Sequence, residues 1–416
     1  MPSRLLVLSN GHGEDLIALR ILEALREQQP DCQLTVMALV GLGQTYAAAE
    51  AAGWLQVVGP RRCLPSGGFS NQSLRGLLRD LRAGLPLLSL RQWRWVRHWG
   101  RAGHPVLAVG DLLPLLLAWS GGGPYGFVGT PKSDATWATP PPPGWGRPGL
   151  DDRYHRCKGS EWDPWEWALM RADPCRLVAV RDRLTARGLR NHGVAALAPG
   201  NPMMDGFQTE AVPIGLRHGR RLLLLPGSRL PEALGNLERL LEAALQVRVN
   251  GPLHLLLACG NQPTSAELAP LLSRAGFSST CLSAEQGAIG ARDSWRAGTI
   301  ELHVGPGCFG RWAAWCELGL ATAGTATEQL VGLGVPALSL PGPGPQFKPG
   351  FARRQSRLLG GAVLPCHTAA ELARTATRWL DDAELRQRLG TMGRRRMGPA
   401  GGSQRLAKLI TQHLLA

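Results

Sequence analysis

The chain has 416 residues, 44% of them hydrophobic and 19% charged, with 46 Lys and Arg against 31 Asp and Glu and a formal net charge of +15. That length and apolar content exclude a disordered or fibrous chain and suit two domains, with room for a third. The positive excess favours anionic partners such as acidic lipid surfaces and phosphorylated ligands, and the nine cysteines form no C-x-x-C pair or zinc spacing, which fits a reducing compartment.

Residues 5–8 form an apolar run too short for a signal peptide and read as a first buried strand. The long uncharged stretches, 112–131 and 329–347, are broken by Gly and Pro, so no transmembrane helix is expected. In the first half, strands are predicted at 5–9, 34–39, 54–58, 105–109, 125–128, 177–180 and 194–197. Between the first of these lie helices at 15–28, with Ile17, Ile21 and Leu25 on one face, and at 44–52. Such alternation predicts an α/β fold with a parallel sheet covered on both faces. Residues 138–149, with Pro140 to Pro143 in a row, cannot join a helix or central strand and are expected to form a mobile surface loop.

A polar, irregular stretch at 210–219 marks the domain boundary, after which the pattern restarts. Strands are predicted at 222–225, 253–258, 300–304, 318–323, 335–340 and 362–365. The division is therefore 1–209, 210–393 and a C-terminal helix at 394–416 that crosses back to the first domain. Two α/β units of similar size are expected to face a cleft.

Ser9-Asn10-Gly11-His12-Gly13-Glu14-Asp15 follows the first strand and opens the first helix. Gly11 and Gly13 let the backbone turn tightly and approach a ligand. His12 at the tip either meets a substrate and moves a proton or belongs to a polar turn with a capping acid. No third glycine or strand-end acid completes a dinucleotide fingerprint. Gly305-Pro306-Gly307-Cys308-Phe309-Gly310-Arg311 lacks the Lys-Ser/Thr ending of an ATPase loop. Asp111 ends the strand at 105–109 between apolar residues, as a buried base or as a helix N-cap.

In the second half, Gly324-Thr325-Ala326-Thr327-Glu328 joins a strand to a helix. A helix N-terminus of this kind offers N–H groups to a diphosphate, and Glu328 is placed to accept from a ribose. Pro226-Gly227-Ser228-Arg229 repeats the geometry, with Ser228 as cap and Arg229 as phosphate partner. Gln346 and Gln355 offer amides to sugar hydroxyls, and Asn201-Pro202 sits before the hinge. Residues 74–99 mix Arg75, Arg79, Arg82, Arg91, Arg94 and Arg97 with Trp93, Trp95, Trp99 and several leucines. They suit a helix resting on an anionic membrane, or a pair of amphipathic helices packed on the sheet. Trp162, Trp165 and Trp167 either stack on sugar rings or fill a core.

The ordered set of Ser9 to Asp15, Gly200-Asn201-Pro202, Leu225 to Arg229, Ala323 to Glu328 and Arg396-Met397-Gly398 resembles the glycosyltransferase-B (GT-B) superfamily. Within it, the set is most similar to the lipid-A-disaccharide synthase-related proteins and, more loosely, to the peptidoglycan N-acetylglucosaminyltransferase. The resemblance implies two Rossmann-like domains facing a cleft. The second domain would bind the donor and the first the acceptor. Glu328 matches the acid that holds the donor ribose, and Thr325 and Thr327 match diphosphate positions. Asp111 matches the proposed base of the disaccharide synthase, and His12 the loop histidine of the peptidoglycan enzyme. The first loop departs from the disaccharide synthase, which leaves the acceptor open.

The expected activity is transfer of a sugar from a UDP-sugar to a lipid-linked acceptor by a cytoplasmic, peripherally membrane-associated enzyme. Asp111 or His12 serves as base. Gly227, Ser228, Arg229, Gly324, Thr325, Ala326, Thr327, Glu328, Gln346 and Gln355 hold the donor. Asn10, Gly11, Gly13, Glu14, Asp15 and Asn201 form the acceptor side. Neither a metal nor a cofactor is expected, the UDP-sugar being a co-substrate. The rivals are a sugar-nucleotide epimerase on the same fold and a non-catalytic nucleotide-sugar or lipid-binding protein. The spread of arginine along both halves argues against nucleic acid as a partner.

Overall fold

The computed structural model describes residues 3–62, 81–82, 84–207, 210–260, 262–342 and 347–416, with the side chain of His12 also outside the described set. The chain divides into two compact units: Met1–Asp134, Tyr154–Asp205 and Pro399–Ala416 form the first, and Ala135–Arg153 with Gly206–Gly398 the second.

The first unit is built on seven strands among the described residues: β1 (Arg4–Ser9), β2 (Gln33–Ala38), β3 (Gln56–Val57), β4 (Val106–Gly110), β5 (Tyr125–Gly129), β6 (Cys175–Val180) and β7 (Ala196–Leu197). Their order is β3-β2-β1-β4-β5-β6-β7, and every pairing is parallel. A parallel strand is covered on both faces, which is why its sequence is continuously apolar rather than alternating. Leu5, Leu6, Val7 and Leu8 are all fully buried, each contributing about 2 kcal/mol of transfer free energy. Helix His12–Gln28 starts earlier than its apolar face suggested, because it follows Gly11 directly.

The second unit carries β8 (Arg220–Leu225), β9 (Leu253–Cys259), β10 (Ser278–Thr280), β11 (Asp293–Ala297), β12 (Ile300–Pro306), β13 (Leu318–Ala321), β14 (Ala337–Ser339) and β15 (Val363–Pro365). The order is β10-β11-β12-β9-β8-β13-β14-β15. The pairs from β12 to β15 are parallel. β10, β11 and β12 pair antiparallel, an edge the sequence pattern did not reveal. Ser278–Thr280 is short and polar, and Asp293–Ala297 has no apolar run. Only pairing with β12, through a turn at Gly298 (φ +59°), makes strands of them. Leu222, Leu224, Leu255, Leu257 and Leu320 anchor the core on one face of this sheet.

Residues 138–149 were expected to form a mobile loop. They are instead tied down within the second unit. The Trp145 ring stacks on His367 at 4.3 Å, and its Nε1 donates to the Pro365 carbonyl at 2.9 Å. Arg357 Nε donates to the Thr139 carbonyl at 2.7 Å, and the Arg357 guanidinium pairs with Asp152 at 2.6 Å. Prolines that cannot join a ladder are held here by side chains reaching in from helix Pro349–Leu358.

The C-terminal helix Gly402–Ile410 belongs to the first unit. Its N-terminus is held by Asp205, whose carboxylate accepts from the N–H groups of Gly401, Gly402 (3.2 Å) and Ser403 (2.7 Å). Gln28 Nε2 donates to Gln404 Oε1 at 2.7 Å along the contact with helix His12–Gln28. An acid at a helix N-terminus satisfies otherwise orphaned donors and complements the helix dipole. Asp205→Ala is expected to lower unfolding free energy by about 1–2 kcal/mol, read as an earlier urea midpoint with unchanged slope. An unchanged midpoint would show that Asp205 does not anchor this helix.

Candidate functional site

In both sheets the strand order reverses about a central strand, and ligands of open α/β sheets bind outside the carboxyl ends of strands at such a point. In the first unit the reversal lies between β1 and β4, with Ser9 in register with Val109. In the second it lies between β8 and β13, with Leu225 beside Ala321. The motifs singled out in the sequence follow these four strands.

At the first reversal, Asn10 Nδ2 donates to Asp111 Oδ1 at 2.8 Å. Gly110 has φ +135°, and a Cβ there would lie 3.2 Å from Asn10 Cβ and 3.4 Å from Glu14 Cγ. Glycine at 110 is therefore what lets Asn10, Glu14 and Asp111 gather. Asp111 also caps helix Leu112–Ser120 through the Leu113 N–H at 3.2 Å. Its two alternative roles in the sequence reading thus share one carboxylate. Burial raises its pKa, while the Leu113 hydrogen bond and the Lys132 charge pull it back.

Deeper in, Tyr46 OH donates to Ser9 Oγ at 2.8 Å, and Ser9 donates to Asp15 Oδ1 at 2.6 Å. Burial pushes Asp15 up to about 6 despite that hydrogen bond. Glu14 goes further, to about 7, first through burial and then through the nearby charges of Asp111 and Asp15. Thr130 Oγ1 lies 3.5 Å from Glu14 Oε1 on the donor side. Burial raises all three acids, and Glu14 alone is raised further by its acidic neighbours.

Gly11, with φ +126°, takes a conformation that favours glycine. His12 opens the helix, but its side chain lies outside the described residues. Gly13 sits half-buried in the first turn. Asn201 is buried and caps the turn Pro202–Met204, accepting from the Met203 N–H at 3.1 Å. It packs so closely on Gly402 that a Cβ there would meet Asn201 N at 2.9 Å. Asn201 thus seats the C-terminal helix, and it shares a small crevice with Thr130 and Arg181.

At the second reversal, Gly227 has φ +95°. Ser228 was expected to cap the next helix. Instead that helix runs Glu232–Ala244 behind Pro231, and Ser228 is exposed on the turn. Arg229 is half-buried, which lowers its pKa. Asn236 Nδ2 steadies the turn through the Pro226 carbonyl at 3.1 Å.

Helix Thr325–Gly332 places Glu328 in its first turn, where it is half-buried. Thr325 and Ala326 are half-buried at the helix start. Thr327 departs from the diphosphate position assigned to it. It is fully buried, and its hydroxyl donates to the Ala323 carbonyl at 2.7 Å. Gln355 is likewise buried, and its Nε2 donates to the carbonyls of Ala323 (3.3 Å) and Gly324 (3.1 Å). It thus holds the turn's shape, while its Oε1 is buried without a hydrogen-bond partner. Gln346 lies outside the described residues.

Sequence reasoning missed Thr130, which follows β5 at the same edge, and Lys132, whose Nζ lies 2.7 Å from Glu166 Oε1 and over the Trp162 ring. The usable signal was position just past a predicted parallel strand. Of the tryptophans considered for stacking on sugars, Trp162 and Trp167 are buried core, while Trp165 is 56% exposed. Trp93, Trp95 and Trp99 pack on the first unit's core.

No protein-family model matches the chain, and no curated protein sequence matches it. Solved structures do. MurG of Acinetobacter baumannii is 18% identical with TM-score 0.59, covering 99% of this chain and 100% of that one. CalG4, the calicheamicin glycosyltransferase, is 15% identical with TM-score 0.58, over 99% of both chains. A putative UDP-N-acetylglucosamine 2-epimerase from Listeria monocytogenes is 13% identical with TM-score 0.57, over 99% of this chain and 97% of that one. With its two Rossmann-like units, the chain has the GT-B fold.

Proposed function

We propose that this protein is a glycosyltransferase that moves a sugar from a UDP-sugar to a lipid-linked acceptor at a membrane surface, in the manner of the lipid-A-disaccharide synthase-related proteins. The observation that carries this reading is the turn at Gly324, built by Gln355 and Thr327 at the β8/β13 reversal. A first helical turn there has N–H groups without intrahelical partners, aimed where a diphosphate would lie. Glu328 accepts from the ribose, and Arg229 supports the departing charge. The similarity to glycosyltransferase structures supports the same reading.

On the acceptor side, Glu14 is added to Asp111 and His12 as a candidate base, and it is the one favoured here. A group near pKa 7 is matched to proton removal at neutral pH. Asp111, committed to Asn10 and to a helix cap, positions the loop and holds the negative field that keeps Glu14 basic. The acceptor oxygen loses its proton to Glu14 and attacks the anomeric carbon, and UDP leaves.

Of the segment 74–99, residues 74–80, with Arg75 and Arg79, and 83 lie outside the described residues, and the membrane part rests on helix Leu85–Arg101. Leu87 and Leu90 are 52% and 40% exposed. Arg91, Arg94 and His98 follow them at helical spacing and are also exposed. Helix Leu112–Ser120, directly after Asp111, exposes Leu113, Leu116 and Trp119. Apolar and basic side chains on one helical face suit an anionic lipid surface. No helix of the described residues is long and apolar enough to cross a membrane.

The epimerase reading has one observation in its favour: the Listeria structure matches nearly as well as the transferases. Conversion of a UDP-sugar without any acceptor would decide for it.

UDP is expected to raise the melting temperature, and Glu328→Gln to weaken UDP binding roughly tenfold, or about 1.4 kcal/mol. No thermal shift with UDP, together with a silent Glu328→Gln, would rule the donor assignment out. Glu14 provides a second test. Its folded pKa, about 7, lies above the ordinary 4.5, so the folded state holds its proton more tightly than the unfolded one. Stability is therefore lost as pH rises between those values, and the cost is complete above 7. Glu14→Gln is expected to stabilise by roughly 2 kcal/mol at pH about 8, to do little at pH about 4, and to abolish transfer. Destabilisation at the higher pH, or full activity, contradicts the assignment. For the membrane face, Leu87→Asp with Leu90→Asp is expected to cut sedimentation with anionic vesicles at least about tenfold. Unchanged sedimentation would clear this helix of a lipid role.

A further inference from the structure

β9 and β12 run side by side in the second unit, with His254 in register with Glu301 and Leu256 with His303. The pleat therefore places His254, Glu301 and His303 on one face of the sheet. That face is opposite to the one carrying Leu255, Leu257 and Leu302. His254 and Glu301 lie near the amino-terminal ends of their strands and His303 at the middle of β12, and none of them belongs to the turns assigned above to the nucleotide. Nothing in the proposed transfer uses them.

Two imidazoles are seldom buried as deeply as these, at 4% and 1% exposure, without a task for every nitrogen. Each ring has one nitrogen occupied. His254 Nε2 lies 2.9 Å from the His218 carbonyl, and His303 Nδ1 lies 3.0 Å from Ser294 Oγ. The other two, His254 Nδ1 and His303 Nε2, are buried without a hydrogen-bond partner. Both face Glu301 Oε2, at 3.6 and 3.8 Å. Those separations exceed a hydrogen bond. They are close to the spacing of about 3.3 Å between ligands of a tetrahedral zinc ion with bonds near 2.0 Å. One ligand atom from each residue lies within 4.8 Å of the others.

The surroundings match what metal-bound histidines require. A ligating imidazole characteristically engages a carbonyl or hydroxyl through its far nitrogen, which fixes tautomer and ring angle. His218 and Ser294 supply those contacts. Arg296 Nη2 holds the other carboxylate oxygen of Glu301 at 2.5 Å and so aims Oε2 at the rings. The two imidazoles stack, with 5.9 Å between centroids and 20° between planes.

We propose that His254, Glu301 and His303 bind a divalent transition-metal ion, zinc foremost, which clips β12 to β9. Two nitrogens and one carboxylate oxygen suit zinc and its first-row neighbours rather than calcium or magnesium, which take oxygen ligands. Three protein ligands leave a fourth position for water. The antiparallel β10–β11–β12 edge, which the sequence pattern did not support by itself, gains a fastening where it joins the parallel sheet.

The test uses the full chain stripped with a chelator and titrated with Co²⁺ alone, followed by absorbance and then by competition with Zn²⁺. The expected result is one cobalt per chain with visible bands of nitrogen–oxygen ligation, displaced by zinc. His254→Gln, His303→Gln and Glu301→Gln are each expected to weaken cobalt binding at least about tenfold, with circular dichroism confirming the fold. Should the variants fail to fold, zinc-edge X-ray absorption on the wild-type protein decides, and two imidazoles in the shell are expected. Absence of stoichiometric cobalt, affinity unchanged in folded His303→Gln, thiolate-dominated bands or a shell without two imidazoles each overturns the site. These readouts are independent of sugar transfer, so the proposal stands or falls separately from the assigned activity.

Discussion

Buried parallel strands that reverse their order about a central member leave a gap that no helix covers, and two such gaps organise this molecule. The gap at β1 and β4 receives the Asn10–Asp15 loop and Asp111, and the gap at β8 and β13 receives the Pro226–Arg229 and Gly324–Glu328 turns. The apolar strands behind them are almost wholly buried, so the loops ride on rigid supports while remaining able to meet a ligand. Remove the reversal and the same motifs would scatter over the sheet edges.

Within the first gap, electrostatics follow from crowding. Glu14, Asp15 and Asp111 share a partly dry space. Its hydrogen-bond donors include Asn10, Ser9, Thr130 and the Leu113 amide. Asp111 accepts from Asn10 and Leu113, Asp15 from Ser9 and a backbone amide, and Glu14 from Thr130 and a backbone amide. Burial raises both Glu14 and Asp15, and Glu14 meets in addition the charges of Asp111 and Asp15, which is why it exceeds Asp15. The second gap is of opposite character. Its side chains donate to the carbonyls of a turn, as Thr327 and Gln355 do.

Much of the fold was legible because parallel strands advertise themselves as apolar runs: 5–8, 222–225 and 253–258 need no context to be read. β10 and β11 were not legible, since Ser278–Thr280 and Asp293–Ala297 become strands only through their partners. Ser228 could be named as a turn residue but not excluded as a cap, because the helix start depends on where the chain leaves the sheet. Thr327 looked like a ligand by composition, and its burial is a tertiary fact. The prominence of Glu14 over its neighbours depended on Gly110 and Thr130, which lie about a hundred residues away. The His254, Glu301 and His303 cluster joins two strands 40 or more residues apart, a spacing at which no ligand motif is recognisable.

The account turns on the second unit gripping a nucleotide diphosphate at Gly324 to Glu328. Amide hydrogen exchange with and without UDP tests this most directly, because the bonding groups are the amides themselves. The account predicts slowed exchange in peptides spanning 323–329, with a smaller effect at 226–229. Protection confined to the β1/β4 loops, or no protection anywhere, would contradict it.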